Sequence, residues 1–256
     1  MKEKCLVIGL GQIGMDYDLN YDPSVSVYSH ARAISLHPYF ELVGAVDLSS
    51  IQRSTFEKHY VRPAFDNISV AISQLQPSIV IIASPSETHG TIIDEVVSQG
   101  KPKSILCEKP LAYNLAEALK MVDTCEKEDI ALYVNYIRRA DPGVIEIKTR
   151  IENSEISAPI KGVVWYSKGF LNNGSHFFNL LELWLGSFVG FKLIDAGRLW
   201  NDADPEPNVE VKFERGTVVF LSAWEESFSH CTLELLSQSG RLKYEQGGKF
   251  ITWQTV

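Results

Sequence analysis

Two short segments of the chain carry side chains suited to proton transfer. In Cys107-Glu108-Lys109-Pro110 the lysine amine follows an apolar run, where it can donate a hydrogen bond to a reacting oxygen or take part in proton transfer. In Asn172-Asn173-Gly174-Ser175-His176 the histidine opens a helical pattern, where the helix dipole disfavours an imidazolium and suits a general base. Each residue also has a simpler interpretation without catalysis. Lys109 can be read as a loop lysine paired with Glu108, and His176 as an ordinary histidine near a helix cap.

A glycine pattern near the N-terminus predicts a site for a dinucleotide. Gly9-x-Gly11-x-x-Gly14, with Gln12 and Ile13 between the glycines, directly follows the apolar run Cys5 to Ile8, which indicates a buried strand. The first glycine allows a tight turn, the second lets backbone approach a pyrophosphate, and the third permits close packing of the next helix. The N-terminus of that helix would offer N–H groups to the phosphates.

An acid at the end of the second predicted strand fits the same site. The apolar run Leu42 to Val46 ends at Asp47, where a carboxylate would bond the adenosine ribose hydroxyls and repel a 2′-phosphate, which favours NAD over NADP. Its separation from Gly14 along the sequence exceeds the usual spacing of roughly 20 residues. An insertion rich in Tyr, Asp and Ser, residues 16–29, accounts for the excess. A solvated strand-end carboxylate is the alternative.

A third segment follows another predicted strand. Ser84-Pro85-Ser86-Glu87-Thr88-His89 leaves the apolar run Ile79 to Ala83, at the sheet edge where the glycine loop is expected. In open α/β sheets ligands bind beyond the carboxyl ends of the strands, so this turn could line a cofactor, and Lys109 would lie where nicotinamide and substrate meet. Taken alone, the turn is more simply a strand-to-helix loop.

The elements that must position these residues change character along the chain. Residues 1–120 alternate apolar strands with helical stripes, which predicts a doubly wound parallel sheet. Residues 121–256 contain period-two runs joined by turns, which predict a mainly antiparallel sheet. One helical stripe, Phe177 to Leu185, interrupts them and ends at Gly186. We therefore expect an α/β fold: an N-terminal Rossmann domain and a C-terminal α+β domain with an open sheet.

Composition narrows the classes of partner. The 256 residues include 45% hydrophobic types, which is ordinary for a globular protein, and the net charge of −8 argues against a nucleic-acid or membrane-surface partner. The first residues lead directly into a strand, so no signal peptide is expected, and no apolar run is long enough for a membrane span. The four cysteines are scattered without a Cys-x-x-Cys pair, so we expect reduced thiols in the cytoplasm and no metal site.

Taken together, these motifs resemble the glucose–fructose oxidoreductase/inositol dehydrogenase (Gfo/Idh/MocA) family, in order and at suitable distances along nearly the whole chain. Glu108-Lys109-Pro110 followed by Leu-Ala is the most specific match. The resemblance implies hydride transfer between a nicotinamide cofactor and a secondary alcohol or ketone of a sugar, sugar derivative or polyol. It also implies a homo-oligomer through the C-terminal sheet. Some members of this family have become regulators.

The resemblance assigns roles to individual residues. Lys109 matches the lysine that positions substrate and joins the proton relay, His176 matches the catalytic acid/base, and Asn172 occupies a third catalytic position. Tyr136, Arg138, Asn173 and His176 are the candidate substrate contacts. The candidate cofactor-binding residues are Gly9, Gly11, Gln12, Ile13, Gly14, Asp47, Ser84, Pro85, His89, Glu108 and Lys109.

Two departures from the family keep a second function open. The family usually has an aspartate where this chain has Asn172, and an amide cannot hold charge or accept a proton into a relay. Family chains also usually continue beyond a turn such as Gly247-Gly248, whereas this sequence stops at Val256. The alternative to an enzyme is a catalytically weakened dinucleotide-binding sensor or scaffold of the same fold.

Overall fold

The computed structural model describes residues 2–225, 227 and 231–256, and it divides into two compact units, the first ending at Asn135 and the second beginning at Tyr136. The boundary expected near residue 120 falls inside the helix Leu115–Lys127. That helix leads into the strand Ala131–Val134, which pairs with the parallel sheet of the first unit. The division therefore comes later than the sequence indicated, because no linker-like composition marks it.

The first unit is a parallel sheet with helices between its strands. The strands are β1 (Glu3–Ile8), β2 (Phe40–Val46), β3 (Ala64–Phe65), β4 (Ile79–Ile82), β5 (Ser104–Cys107) and β6 (Ala131–Val134). The α-helices are α1 (His30–Leu36), α2 (Ser50–Tyr60), α3 (Ile68–Leu75), α4 (His89–Gly100) and α5 (Leu115–Lys127). The strand order is β3-β2-β1-β4-β5-β6, and every neighbouring pair is parallel. The order reverses between β1 and β4, which places the ligand crevice beyond their carboxyl ends.

Both faces of this sheet are buried, which explains the continuous apolar runs. In β4, Val80 and Ile82 join a buried cluster with Ile93 of α4, whereas Ile81 joins a second cluster with Phe56 of α2. Helices therefore cover the sheet on both sides, as a parallel sheet requires. The apolar strands predicted at β1, β2, β4 and β5 are confirmed.

The ends of α4 and α5 are fixed by different kinds of contact. The side-chain oxygen of Asn114 accepts a hydrogen bond from the Glu117 N–H at 2.8 Å, so it caps α5. Gly100 does not occupy the left-handed position after α4; Lys101 does, with φ 42°. A Cβ on Gly100 would lie 2.3 Å from Cγ2 of Ile72 in α3. This glycine therefore serves the contact between α3 and α4.

The described residues of the second unit form an open sheet and two α-helices. Its strands are β7 (Ile160–Tyr166), β8 (Phe188–Asp195), β9 (Leu199–Trp200), β10 (Asp204–Pro205), β11 (Asn208–Phe213), β12 (Gly216–Ser222), β13 (Cys231–Ser237), β14 (Gly240–Glu245) and β15 (Phe250–Thr255). Its α-helices are α6 (Pro142–Glu152) and α7 (Ser175–Leu185). The main sheet has the order β15-β14-β13-β7-β12-β11-β8, with β7 and β12 parallel and the other neighbours antiparallel. The expected fold class is confirmed.

The helices of the second unit contribute to a single core on its sheet. The indole N–H of Trp184 in α7 donates a hydrogen bond to the Val144 carbonyl in α6 at 2.9 Å, and both residues are fully buried. By contrast, Trp165 in β7 is 45% exposed, although β7 lies between β13 and β12. Across the described residues of both units, no helix has the length and apolar character that a membrane span needs.

Candidate functional site

The glycine turn after β1 has the geometry that its sequence predicts. Gly9 has φ +95°, and a Cβ there would lie 2.7 Å from backbone atoms of Ala83 and Ser84. A Cβ on Gly14 would lie 2.0 Å from the Gly9 carbonyl oxygen, so the turn closes on itself only with glycine at both positions. Gly11 has no atom within 4 Å of its missing Cβ, which leaves its backbone accessible to a ligand.

The helix expected after the glycines is interrupted by the insertion. In an unbroken helix the Ile13 and Gly14 carbonyls would accept hydrogen bonds from N–H groups four residues on. Here they accept from the N–H groups of His30 and Ala31, both at 3.0 Å. The first turn of the helix therefore precedes the insertion, and α1 continues from it after the insertion. This corrects the simple strand-turn-helix expectation while preserving the helical direction at the phosphate site.

Asp47 fastens the end of β2 to the glycine turn. Its Oδ2 atom accepts a hydrogen bond from the Leu10 N–H at 2.7 Å, and its Oδ1 atom accepts from the Ser49 N–H at 2.7 Å. The Gln52 side chain of α2 also donates to the Leu10 carbonyl at 2.9 Å. A carboxylate oxygen accepts more than one hydrogen bond, so Asp47 keeps capacity for ribose hydroxyls.

A cleft of about 800 Å³ lies along this turn. The predicted cofactor residues that line it are Gly9, Gly11, Gln12, Ile13, Asp47, Ser84 and Pro85. Its other lining residues include the carboxylates of Asp66, Glu87 and Glu95, and no Lys or Arg lines it among the described residues. For the N–H groups of Gly11, Gln12 and Ile13, the described part of the chain supplies no backbone acceptor in the turn. Backbone dipoles rather than side-chain cations would therefore receive a pyrophosphate.

A second cavity of about 460 Å³ holds the lysine. Glu108 and Lys109 line it, and it shares Ile13, Ser84 and Pro85 with the larger cleft. The two cavities are therefore contiguous along the Ser84–Pro85 turn. This arrangement brings the predicted lysine to the same sheet edge as the glycine turn.

Glu108 is the centre of a polar network that the sequence did not reveal. His30 Nε2 lies 2.7 Å from Glu108 Oε1, and the Asn135 side-chain N–H donates to the same oxygen at 2.7 Å. Burial alone would raise the pKa of Glu108, but the hydrogen bonds from His30 and Asn135 outweigh it and hold the pKa below its usual value. Glu108 is therefore a carboxylate that anchors the backbone next to Lys109.

His89, predicted to contact the cofactor, lies behind the turn. Its ring is fully buried, with Nε2 3.0 Å from the Ser84 carbonyl and Nδ1 3.2 Å from the Leu111 carbonyl. It lines neither cavity and instead ties the Ser84 turn to the segment after Lys109. Gly14 likewise is buried beneath the glycine turn. Both support the cleft from inside the fold.

In the second unit, the segment before α7 is a π-helical turn, Phe170–Gly174. The Asn172 side chain donates to the Lys168 carbonyl at 3.1 Å, and the Asn173 side chain donates to the Ser167 carbonyl at 2.8 Å. His176, near the start of α7 as predicted, packs edge-to-face with Tyr136 at 5.7 Å between ring centroids. The structure thus brings together Tyr136 and His176, with both asparagines in the adjoining turn.

Two buried acids hold this turn, and sequence analysis missed them. Asp204 accepts hydrogen bonds from the Leu171 and Asn172 N–H groups, both at 2.8 Å, and Glu206 accepts from the Gly169 N–H at 3.1 Å. The pKa of Asp204 is raised, chiefly by burial and also by repulsion from Glu206. The backbone hydrogen bonds lower the pKa but do not cancel these effects. The available signal in the sequence was the run Asp204-Pro-Glu206-Pro, in which two acids alternate with prolines.

Arg138 has structural partners within the second unit. Its Nη1 donates to the Gly247 carbonyl and to the Tyr244 hydroxyl, the latter at 3.1 Å. The Tyr244 hydroxyl in turn donates to the Gly247 carbonyl at 2.8 Å. The guanidinium expected to contact substrate therefore fixes the Gly247 turn.

The fold and the cleft define the class of protein: a dinucleotide-binding α/β unit followed by an α+β unit with an open sheet. A model of the Gfo/Idh/MocA family, described as an oxidoreductase family with an NAD-binding Rossmann fold, matches residues 3–136. The chain belongs to this family.

Curated relatives match over part of their length. The scyllo-inositol 2-dehydrogenase (NAD(+)) of Bacillus subtilis (strain 168) is 36% identical over 169 residues, which cover 65% of this chain and 44% of the relative. The glucose-6-phosphate 3-dehydrogenase of the same strain is 31% identical over 140 residues, or 55% of this chain and 39% of the relative. The matches therefore span less than half the length of these relatives.

A solved structure shares the fold. The WlbA dehydrogenase from Bordetella pertussis, in complex with NADH and UDP-GlcNAcA, gives a TM-score of 0.80 at 18% identity. The alignment covers 100% of this chain and 82% of that one. At this identity the likeness establishes the fold and nothing further.

Proposed function

We propose that this protein is an NAD-dependent dehydrogenase that oxidises a secondary alcohol of a sugar or polyol, or reduces the corresponding ketone. The observation that carries the proposal is the contiguity of the glycine-turn cleft with the cavity of Lys109. A bound nicotinamide would supply the hydride acceptor or donor. The residues of the chain would bind that cofactor, orient the alcohol and move its proton.

The acid-rich cleft supports NAD as the cofactor in preference to NADP. Asp47 is held at the glycine turn by the Leu10 and Ser49 N–H groups, so its charge would oppose a 2′-phosphate there. The absence of Lys and Arg from the described lining leaves no lining side chain to pair with such a phosphate.

Lys109 and His176 are the proposed acid–base residues. Lys109 would donate a hydrogen bond to the reacting oxygen, and His176 would take the hydroxyl proton during oxidation and return it during reduction. Asn172 and Asn173 would orient substrate hydroxyls through their amide groups, and Tyr136, packed against His176, would border the same position. Each of these roles is what the family resemblance implies for the residue at that position.

The proposed substrate class rests on what the relatives are named for. Curated relatives include inositol 2-dehydrogenases and a glucose-6-phosphate 3-dehydrogenase, all named for reactions on ring alcohols. We propose a substrate with the same secondary-alcohol chemistry. The polar turn that carries Asn172 and Asn173 suits such a ligand, because amides both donate and accept hydrogen bonds.

We also propose self-association and a cytoplasmic location. The edge strand β8 exposes the large apolar side chains of Phe191 and Leu193, which favours burial against another copy of the chain. Cys5, Cys107 and Cys125 are buried thiols without a disulfide, which suits a reducing compartment. Light scattering after gel filtration would test the first proposal.

The test of the main proposal is binding followed by turnover. Calorimetry with NAD, NADH and NADP would establish the cofactor, and NADH absorbance would follow oxidation of a panel of inositols, hexoses and sugar phosphates. Turnover of a ring alcohol with NAD supports the enzyme. Failure to bind any of the dinucleotides would refute it.

The second candidate function is that of a dinucleotide sensor without turnover. The observation that favours it is Asn172, whose amide is engaged with the Lys168 carbonyl and cannot act as a base. Tight NADH binding without turnover of any member of the panel would favour the sensor.

A further inference from the structure

The insertion after the glycine turn places an aromatic side chain where the two cavities meet. The Tyr17 N–H donates to the Gln12 carbonyl at 3.0 Å, so its backbone continues the turn that begins at the glycines. The Tyr17 side chain is 51% exposed and lines both the 800 Å³ cleft and the 460 Å³ cavity. Ile13 lines both cavities as well, and the two residues therefore border one continuous surface.

Hydrogen bonds to a buried carboxylate next to Tyr17 fix the position of this residue. The neighbouring Asp18 is fully buried, and its carboxylate accepts from the Tyr28 N–H, the Ser29 N–H and the Ser29 hydroxyl at 2.5, 2.8 and 2.6 Å. These contacts join the first residues of the insertion to its last. Hydrogen bonds to the charged form hold the pKa of Asp18 below its usual value despite the effect of burial, so Asp18 is a carboxylate at neutral pH.

A buried arginine organises the rest of the insertion. The Arg32 guanidinium, in α1, donates to the carbonyls of Leu19, Tyr21 and Ser26 at 3.3, 2.8 and 3.3 Å. The guanidinium also lies 3.7 Å from the Asp18 carboxylate, so a buried ion pair and several backbone contacts attach the insertion to α1. The insertion is therefore built to a defined shape, and Tyr17 is its residue that reaches both cavities.

The two cavities also define which end of a dinucleotide Tyr17 would meet. Asp47 lines only the larger cleft and Lys109 only the smaller cavity, whereas Tyr17 lies where they join. If Asp47 receives the adenosine ribose, the reacting ring must lie toward Lys109. A flat heterocycle between these points would contact a tyrosine ring on one side, and aromatic rings favour offset or edge contacts of this kind.

We propose that Tyr17, together with Ile13, binds the nicotinamide ring of the cofactor. This inference rests on the proposed dinucleotide function and deepens it by assigning the ring contact to a residue of the insertion. The contribution comes from the aromatic face of Tyr17 and not from its hydroxyl. Phenylalanine at this position would therefore preserve it.

Calorimetry with NADH and ADP-ribose separates the ring contact from the rest of the cofactor, because ADP-ribose lacks nicotinamide. Tyr17→Ala should raise the Kd for NADH about ten-fold and leave the Kd for ADP-ribose within about two-fold of the parent. Tyr17→Phe should keep both constants close to those of the parent. Tyr21→Ala is the matched control, because Tyr21 is exposed on the same insertion and lines neither cavity.

The other possible results of the calorimetry distinguish failure of the Tyr17 inference from failure of the proposed function. Equal affinity of Tyr17→Ala and the parent for NADH overturns the inference and leaves the proposed function intact. Equal weakening of NADH and ADP-ribose by Tyr17→Ala also overturns it, since the residue would then support the cleft as a whole. If the parent protein binds neither ligand, the proposed function fails and the inference fails with it.

Discussion

The Nε2 atom of His30, the first residue of α1, lies 2.7 Å from Oε1 of Glu108, the residue that precedes Lys109. The same oxygen receives the Asn135 side-chain N–H. Three distant parts of the first unit thus meet at one carboxylate: the helix after the insertion, the end of β5 and the residue after β6. The position of Lys109 depends on this junction because its backbone is adjacent to the anchored carboxylate.

Replacing Glu108 by glutamine should destabilise the first unit in a pH-dependent way. The folded pKa of Glu108 lies below its usual value of 4.5, because hydrogen bonds from His30 and Asn135 outweigh the effect of burial. Its stabilising contribution is therefore present above that usual value and is lost as the pH falls through the lower folded pKa. We expect Glu108→Gln to lower the free energy of unfolding by about 1–2 kcal/mol near neutral pH, with a smaller difference in acid.

Urea unfolding of the parent and Glu108→Gln across a pH series measures that difference. Glu126→Gln, on the exposed part of α5, is the matched control and should show little effect at any pH. A difference between Glu108→Gln and the parent that grows as the pH falls would contradict the direction assigned to the Glu108 pKa.

Asp47→Ala should narrow the preference between NAD and NADP. The substitution removes a ribose acceptor, which weakens NAD binding, and also removes the charge that opposes a 2′-phosphate. We expect the Kd for NAD to rise about ten-fold and the Kd for NADP to change much less. Calorimetry with both cofactors measures this, and Asp123→Ala, an exposed change of equal charge on α5, is the control. Parallel weakening of both cofactors would show that Asp47 only braces the glycine turn through Leu10.

Lys109→Ala and His176→Ala should each reduce turnover of an identified substrate by roughly 10²–10⁴, as expected for positioned acid–base groups. NADH affinity should be unchanged in His176→Ala, because the glycine turn, Asp47 and the lysine cavity belong entirely to the first unit. Steady-state kinetics and NADH calorimetry on the same preparations separate chemistry from cofactor binding. Full activity in both variants would remove these residues from the mechanism.

The parts of the site that were predicted from the sequence depend on local backbone geometry or on the general topology of a parallel sheet. The glycine pattern predicted the turn because only glycine tolerates the φ of Gly9 and the close approach at Gly14. The cap of α5 is equally local, because the Asn114 side chain acts on an N–H only three residues away. Lys109 and Asp47 were placed at one sheet edge because parallel strands end together there.

The parts that sequence missed depend on contacts between distant residues. His30 and Glu108 are 78 positions apart, and nothing in either local segment indicates their pairing. Asp204 supports the turn before α7 from more than 30 positions away. The central strand β7 was missed because Lys161 and Gly162 break the alternation expected for a half-buried strand, although neighbours on both sides bury much of it. Register and sheet order, which decide these contacts, leave little trace in one sequence.

Asn172→Asp restores the acid usual in the family, yet the structure predicts that it destabilises the second unit. The Asn172 amide donates to the Lys168 carbonyl at 3.1 Å, whereas a carboxylate there would oppose that oxygen. The backbone N–H of the same residue is bound to Asp204, whose pKa is already raised by burial. A new negative charge nearby would raise the folded pKa of Asp204 further, so the cost would appear as the pH rises through that pKa.

We therefore expect Asn172→Asp to lower the free energy of unfolding by about 1–3 kcal/mol near neutral pH, and the loss to shrink in acid as the carboxyl groups take up protons. Asn172→Ala is the matched control, because it removes the same amide donor without adding charge, and its deficit should stay nearly constant with pH. Urea unfolding of both variants across a pH series separates the two effects. Equal pH dependence in the two variants would show that residue 172 does not interact electrostatically with Asp204. The two buried acids would then hold the turn through hydrogen bonding to its backbone alone.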